Sequence, residues 1–282
     1  MHVMRTVLLL LTVSALCTDA IGVAQAQVNP QQVTVPLSDP SRPGTLTMNL
    51  LLGGVTIRGT GRKDVLIEAL SSEQTRDSRR SRGGSDSDSA GLRRLTPAGG
   101  FVIDENNNQV LVISGGRSSR TDFTIQVPTR TNLKLSALNA GPIVVENVEG
   151  EIEVHSQNES ITLTNVAGTV MANAHNGRVK VIVTRLTADK AMAFTAFNGP
   201  VDVTLPASAK ANLKMRSDRG EIFTDFDVQI RANTAAAQSA RDGNGRVRIA
   251  VNRSIEGSVN GGGPEFEFRT FSGNIYVRKG AQ

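Results

Sequence analysis

The stretch "HNGRVKVIV", His175 to Val183, decides how this chain is read. Alone it looks like part of a hairpin, because Asn-Gly beside alternating apolar and polar residues is a strong turn signal. The same frame recurs in "NAGPIVV" (139–145), "NESITLT" (158–164) and "FNGPVDV" (197–203). Aligned on Val179, it returns at Val55, Ile143, Ile161, Val201, Ile222 and Ile275. Two residues before these anchors stand Gly177, Gly53, Gly141, Gly199, Gly220 and Gly273, and only Glu159 interrupts the series. Half-repeats fall between them, with Gly150 before Ile152 and Gly168 before Val170. Ile143, Ile152, Ile161, Val170 and Val179 are therefore spaced by nine throughout, a register that marks a repeat protein.

Two nine-residue halves make one coil of eighteen. Stacking by eighteen places Ile143 over Ile161 over Val179, and Val145 over Leu163 over Val181. Like over like fills a narrow core without large rings, and each buried Val or Ile contributes roughly 1.5–3 kcal/mol. The expected fold is thus all-β: a single-domain, β-helix-like β-solenoid of short strands with Gly turns, each coil stacked on the last. An antiparallel β-sandwich is the alternative, since regular short strands also suit that architecture. A larger copy supports the array. "FTIQVPTRTNLKLS" (123–136) matches "VDVTLPASAKANLKMRS" (201–217), both an alternating strand, a Pro that ends it, and then Asn-Leu-Lys. Ala140 is an extra residue in the first copy, as at a bulge. Two stretches depart from the pattern and are expected to be mobile loops, 71–100 and 231–246, the second with room for a helical turn.

Residues 1–26 read as a cleaved signal peptide: Arg5, then the apolar run Val7 to Leu16, then Ala24-Gln25-Ala26. That run is too short to cross about 30 Å of hydrocarbon. Residues 27–282 form the β-repeat domain. The single cysteine, Cys17, leaves with the leader, so the mature chain has no disulfide and no thiolate chemistry. Leu16 stands where a lipidation site wants a small residue. The expected location is outside the cytoplasm: periplasm, cell surface or medium. A net charge of +5 over 282 residues is modest, and with export it argues against a nucleic-acid partner. No later segment is long and apolar enough to span a membrane. The chain has no Trp and one Tyr, Tyr276, which weighs against a lectin groove built on ring faces.

The Gly-x-Ile-x-Val steps and the strand-Pro-turn-Leu-x-Leu units resemble a family of exported bacterial β-strand-repeat proteins known as adhesin-like domains of unknown function. The resemblance runs from Thr45 to Lys279 outside the two loops, and "GGGPEFEFRTFSGNIYVRK" (261–279) is similar to that family's closing repeat. It implies a right-handed solenoid outside the cytoplasm and no catalytic residues.

The residues themselves offer little chemistry. His155 and His175 stand at different heights of the array, and no Gly-x-Ser-x-Gly elbow is present. Glu149, Glu151 and Glu153 alternate onto one outward face, as do Asp225 with Asp227 and Glu265 with Glu267. A glycosidase needs two carboxylates across a cleft. Here eighteen-residue stacking sets Thr169 beside Glu151 and Met171 beside Glu153, so a solvated face is the expectation. The turns carry Pro142, Ser160, Arg178, Pro200 and Glu221 where calcium-binding β-rolls carry Asp. No metal and no cofactor is implied. The one concentrated charge feature is Arg76, Arg79, Arg80, Arg82, Arg93 and Arg94, a candidate anion-binding loop diluted by Asp77, Asp86 and Asp88.

The sequence thus points to a non-enzymatic scaffold, adhesin-like, acting at the cell envelope or surface, with an anionic envelope polymer or a surface protein as partner. A stress-sensing or regulatory envelope protein that binds through its loops is the second reading, and a polysaccharide lyase or hydrolase the third. The register makes a direct prediction. Ile161→Asp or Val179→Asp puts an unpaired charge into the core, and neither variant is expected to show a cooperative thermal transition; a parent-like melting curve would mean the register is wrong.

Overall fold

Val, Ile and Thr at alternating positions suit a pleated surface buried on one side. The computed structural model describes residues 31–73, 100–115, 119–231, 238–241, 247–250 and 254–280. Strands account for nearly all regular structure there. The first group is β1 (Gln31–Pro36), β2 (Gly44–Thr60), β3 (Asp64–Glu73), β4 (Gly100–Asn106), β5 (Gln109–Gly115) and β6 (Ser119–Pro128). The second is β7 (Thr131–Glu146), β8 (Glu149–Ser156), β9 (Ile161–Asn176), β10 (Val179–Leu186), β11 (Met192–Asn198) and β12 (Val201–Leu205). The third is β13 (Ala211–Arg219), β14 (Ile222–Thr224), β15 (Gln229–Ile230), β16 (Gln238–Arg241), β17 (Val247–Ala250), β18 (Ser254–Val259), β19 (Glu265–Ser272) and β20 (Ile275–Lys279).

The architecture is a two-faced β-solenoid with parallel pairing between coils. On one face, here the valine face, Ile143 lies beside Ile161, Ile161 beside Val179, Val179 beside Val201, Val201 beside Ile275 and Ile275 beside Ile222. On the other, the phenylalanine face, Leu133 pairs with Ile152, Ile152 with Val170, and Phe194 with Phe268. The half-repeat anchors Ile152 and Val170 therefore belong to the opposite face from Ile143, Ile161 and Val179. "HNGRVKVIV" is a corner between faces, since Val179 to Val181 pair in parallel with both 161–163 and 201–203. β2, β7 and β9 each run through a corner from one face to the other. The register between β2 and β7 slips by one residue at the corner, with Gly53 opposite Ala140 but Val55 opposite Ile143.

Coils do not all follow chain order. Through the stack the order is 109–128, 44–60, 131–146, 149–164, 167–186, 192–205, 265–279 and 211–224. The coil 44–60 is inserted between its two successors, and 265–279 between its two predecessors. This corrects the expectation that each coil stacks on the last. It also explains the larger sequence copy: the turns after Pro128 and Pro206 are the two places where the chain steps over an inserted coil. The ends are closed by antiparallel strands, β4 on β5 and β3 on β6 at one end, β18 on β13 at the other. Such caps cover the open edges of a stack.

The core differs from expectation in one respect. Phe194, Phe266 and Phe268 are its largest fully buried side chains, and the Phe194 and Phe268 rings stack at 5.2 Å. Room comes from Ala172, buried directly beside Phe194. The loop regions also need adjusting: β3 continues to Glu73, and Gln238–Arg241, inside the expected 231–246 loop, is a strand paired antiparallel with Val247–Ala250. The leader 1–26 lies outside the described residues.

The corners set the closest approach between coils. A Cβ at Gly199 (φ +151°) would sit 2.2 Å from the carbonyl oxygen of Gly177, and one at Gly273 (φ +152°) 2.3 Å from that of Gly199. Buried hydroxyls serve the same carbonyls, Thr270 Oγ1 donating to Gly199 O and Ser217 Oγ to Gly273 O, each at 2.9 Å. Gly199→Ala is expected to cost at least about 1–3 kcal/mol through backbone strain. Gly61→Ala, where nothing lies within 4 Å of the added Cβ, is expected to leave the denaturation midpoint unchanged, and equal midpoints for the two variants would refute the corner constraint.

Candidate functional site

Pleating sends every second residue outward, and stacking turns those residues into columns across the coils. On the phenylalanine face two outward columns are charged, and three are uncharged as far as the coil of Asn198, beyond which Arg269 and Arg216 continue one of them and Arg219 another. Lys134 lies beside Glu153, and Glu153 beside Met171; Glu151 lies beside Thr169. The three carboxylates are each matched by a cation or imidazole: Glu149 with Arg185, Glu151 with Lys190 Nζ at 3.7 Å, and Glu153 with His155 Nε2 at 2.9 Å. Glu151, Glu153 and Lys190, together with Thr45, Thr47 and Asn132, border a shallow groove of about 380 Å³. Asp225 accepts from the Lys279 backbone N–H at 2.7 Å. Among the described residues, no group of three His, Cys, Asp or Glu side chains could hold a metal ion. The arginine cluster, Arg76, Arg79, Arg80, Arg82, Arg93 and Arg94, lies outside the described residues.

The uncharged columns run along the corner that leads to the valine face. Asn158 Nδ2 donates to Asn139 Oδ1 at 2.6 Å, Asn176 Nδ2 to Asn158 Oδ1 at 3.0 Å, and Asn198 Nδ2 to Asn176 Oδ1 at 2.8 Å. Beside this amide ladder the ring of His175 stacks on Phe197 at 4.9 Å and 2° between planes, and Phe197 stacks on Phe271 at 4.9 Å and 5°. Arg219 caps the column, its guanidinium 4.9 Å from the Phe271 ring centre. Toward the other end the same column continues with Gln157 and then the exposed Leu138 and Leu51. A third column, Asn49, Ser136, His155, Asn173 and Thr195, adjoins the ridge. The sequence signal was present: each ladder Asn is the first or second residue of one of the four quoted frames, where it reads as a turn residue. Its lateral partner is visible only once the stacking distance is known.

The glycines at repeat corners occupy both edges. Gly53, Gly141, Gly177, Gly199, Gly220 and Gly273 stand between the phenylalanine and valine faces, and Gly150 and Gly168 on the return. Three ionisable groups away from the ridge are shifted. The Ser41 hydroxyl and backbone N–H hold the Asp39 carboxyl below its ordinary range. The Ser38 backbone N–H and hydroxyl, with the Asn108 N–H, do the same for Glu105. The Arg278 guanidinium is raised by its hydrogen bond to Asp202 at 2.8 Å.

With this geometry in view, comparison with known proteins identifies the fold family. The Toastrack DUF4097 pattern matches residues 117–260, just over half of the chain. The chain belongs to the Toastrack DUF4097 family. The matched segment excludes both inserted coils, 44–60 and 265–279. Among solved structures, a candidate cell adhesion protein from Clostridium sporogenes is similar at 12% identity, covering 89% of this chain and 100% of its own, with a TM-score of 0.43. A candidate adhesin from Bacteroides fragilis is similar at 10% identity, over 89% of this chain and 97% of its own, with a TM-score of 0.27. No curated protein matches the chain. Toastrack membership fits the all-β solenoid and assigns no chemistry to the ridge.

Of the shifted carboxylates, Glu105 ties Ser38 to the β4–β5 turn, where Asn108 Nδ2 also donates to Asp39 O at 2.6 Å. Groups whose folded pKa is depressed stabilise the native state above the unfolded carboxylate range, about 3.9–4.3, and that stability is lost as pH falls through the folded pKa. The melting temperature is therefore expected to hold down to about pH 5 and to fall below about pH 4. Glu105→Gln should lower it at neutral pH and shallow its acid limb; an acid limb identical to that of the parent would show that Glu105 does not contribute.

Proposed function

We propose that this chain is a non-enzymatic, exported scaffold, adhesin-like in role, which binds a component of the cell envelope or surface through the outward side of its phenylalanine face. The observation that carries the reading is the matching of Glu149, Glu151 and Glu153 to Arg185, Lys190 and His155. Acid–base cleavage of a polysaccharide needs one carboxylate held protonated and another poised opposite it. Carboxylates matched to cations on a shallow sheet face instead make a surface for contact. A rigid stack with a uniform interior and varied exterior presents such a surface over many coils. The export signal read in residues 1–26 and the adhesin-like resemblance support an envelope or surface location.

Co-sedimentation of the purified protein with peptidoglycan, surface polysaccharide and membrane fractions across a salt series tests this. Binding to at least one fraction is expected. Loss of that binding over a few hundred millimolar salt would assign it to charged contacts, and persistence would assign it to the neutral columns. Failure to bind every fraction, or turnover of a polysaccharide that Glu151→Gln abolishes, would overturn the proposal.

A further inference from the structure

The uncharged part of the phenylalanine face has a chemistry of its own. From the column of Asn49 to the corner ladder, and from the coil of Leu51 to that of Asn198, the outward side chains are amides, hydroxyls, imidazoles, leucines and Phe197, with no Lys, Arg, Asp or Glu among them. Charge begins at the borders, at Lys134 and Glu153 on one side, at Glu159 and Arg178 on the other, and at Arg269 and Arg219 on the coils beyond Thr195 and Asn198. A surface meant only for solubility would interleave both signs of charge. Here a neutral panel of amides, hydroxyls, imidazoles, leucines and one phenyl ring runs across successive coils.

We infer that this panel binds a neutral, linear, β-linked polysaccharide laid along the solenoid axis; the inference rests on the scaffold reading above. Three features of the panel select that ligand. The first is polarity without charge. An Asn side chain has two N–H donors and two acceptor lone pairs. Asn176, in mid-ladder, spends one N–H on Asn158 and one lone pair on Asn198, which leaves one of each for hydroxyl groups. The second is ring orientation. His175, Phe197 and Phe271 cover one another's faces, so their edges face outward. Aromatic edges carry the positive part of the ring quadrupole and favour contact with hydroxyl and ether oxygens.

The third feature is period. Rungs recur at the strand spacing, about 4.7–4.9 Å. An extended peptide repeats its same-side groups every 6.6–6.8 Å, roughly twice the per-residue rise, and falls out of step within two rungs. In an extended β-linked glycan successive rings are turned over, so same-side groups recur every second sugar, close to two strand spacings, and the chain keeps step over the panel. A membrane surface fits worse, since inserting the leucines and rings would strip the ladder amides of water.

Affinity electrophoresis in gels containing hydroxyethyl cellulose, with polygalacturonate gels for comparison, provides the test. The purified protein is expected to be retarded by the neutral polymer, with little dependence on salt. Phe197→Ser combined with Phe271→Ser should weaken that retardation at least about tenfold, as loss of a central contact does, while Lys180→Ala, exposed on the valine face, should leave it unchanged. Asn173→Lys, exposed and outside the ladder, gives a second readout with the same expected loss should the double variant melt early. Retardation by the neutral polymer that survives both panel changes, or retardation by polygalacturonate alone, would overturn the inference. Binding to envelope fractions without binding to the neutral polymer would overturn it too and leave the scaffold reading standing. Failure to bind envelope fractions and both polymers would remove both.

Discussion

Backbone contact at the corners governs this molecule. Strands in a parallel stack are held at the hydrogen-bonding distance, about 4.7–4.9 Å. At a corner the chain must turn without widening that distance. Gly177, Gly199, Gly273 and Gly220 follow one another there, and a methyl group on Gly220 would meet the carbonyl oxygen of Gly273 at 1.9 Å. With the corners locked, each residue lies above its counterpart one coil away. The interior columns Ile143–Ile161–Val179–Val201 follow from that registration, and so do the exterior amide and ring ladders. The same constraint makes the core tolerant of a large ring only where a neighbour shrinks, as Ala172 does for Phe194.

The two inserted coils change what kind of repeat protein this is. In a simple stack each coil touches only its chain neighbours, so the terminal coils fray and stability accumulates step by step. Here 44–60 is flanked by 109–128 and 131–146, and 265–279 by 192–205 and 211–224. The earliest and latest coils are therefore gripped on both faces by parallel partners, and the edges they would have exposed pass to coils capped by β4, β3 and β18. Closing these contacts requires pairing between segments far apart in sequence, which slows folding but couples the array into a more cooperative unit. Pro128 and Pro206 sit where this geometry needs a strand to stop and the chain to step across.

The sequence carries the coil but not the stacking order. The spacing of Ile143, Ile161 and Val179 gives the eighteen-residue coil and the side chains that meet inside it. Gly53-x-Val55 and Gly273-x-Ile275 look like every other corner, however, and nothing local in them marks their coils as inserted. That information lies in the lengths and caps of distant segments. Alternation does place Phe194, Phe266 and Phe268 on the inward side, but it says nothing of how much space a neighbour leaves, so a core with room for rings was not legible. The Asn ladder was missed for a different reason. Asn139, Asn158, Asn176 and Asn198 have a sufficient local explanation as turn residues, and their lateral hydrogen bonds exist only between coils. Asn-Gly at 176–177 and 198–199 suggested a hairpin for the same reason.

The ladder also bears on how such a surface can discriminate. A deep pocket recognises a ligand by enclosing it, and this face has only a shallow groove beside its carboxylates. A periodic face recognises a partner by keeping step with it. Each rung offers an amide beside a ring edge, a leucine or, at Gln157, a second amide, a small contribution in water, and only a partner with a matching repeat collects it at every coil. Mismatched partners meet one or two rungs and then collide with side chains out of phase. Linked weak contacts act at high effective concentration, so a rigid stack turns modest contacts into selectivity without a pocket. Rigidity is then a functional property, because a corner that yielded by a fraction of an ångström at each coil would lose the period on which the contacts depend.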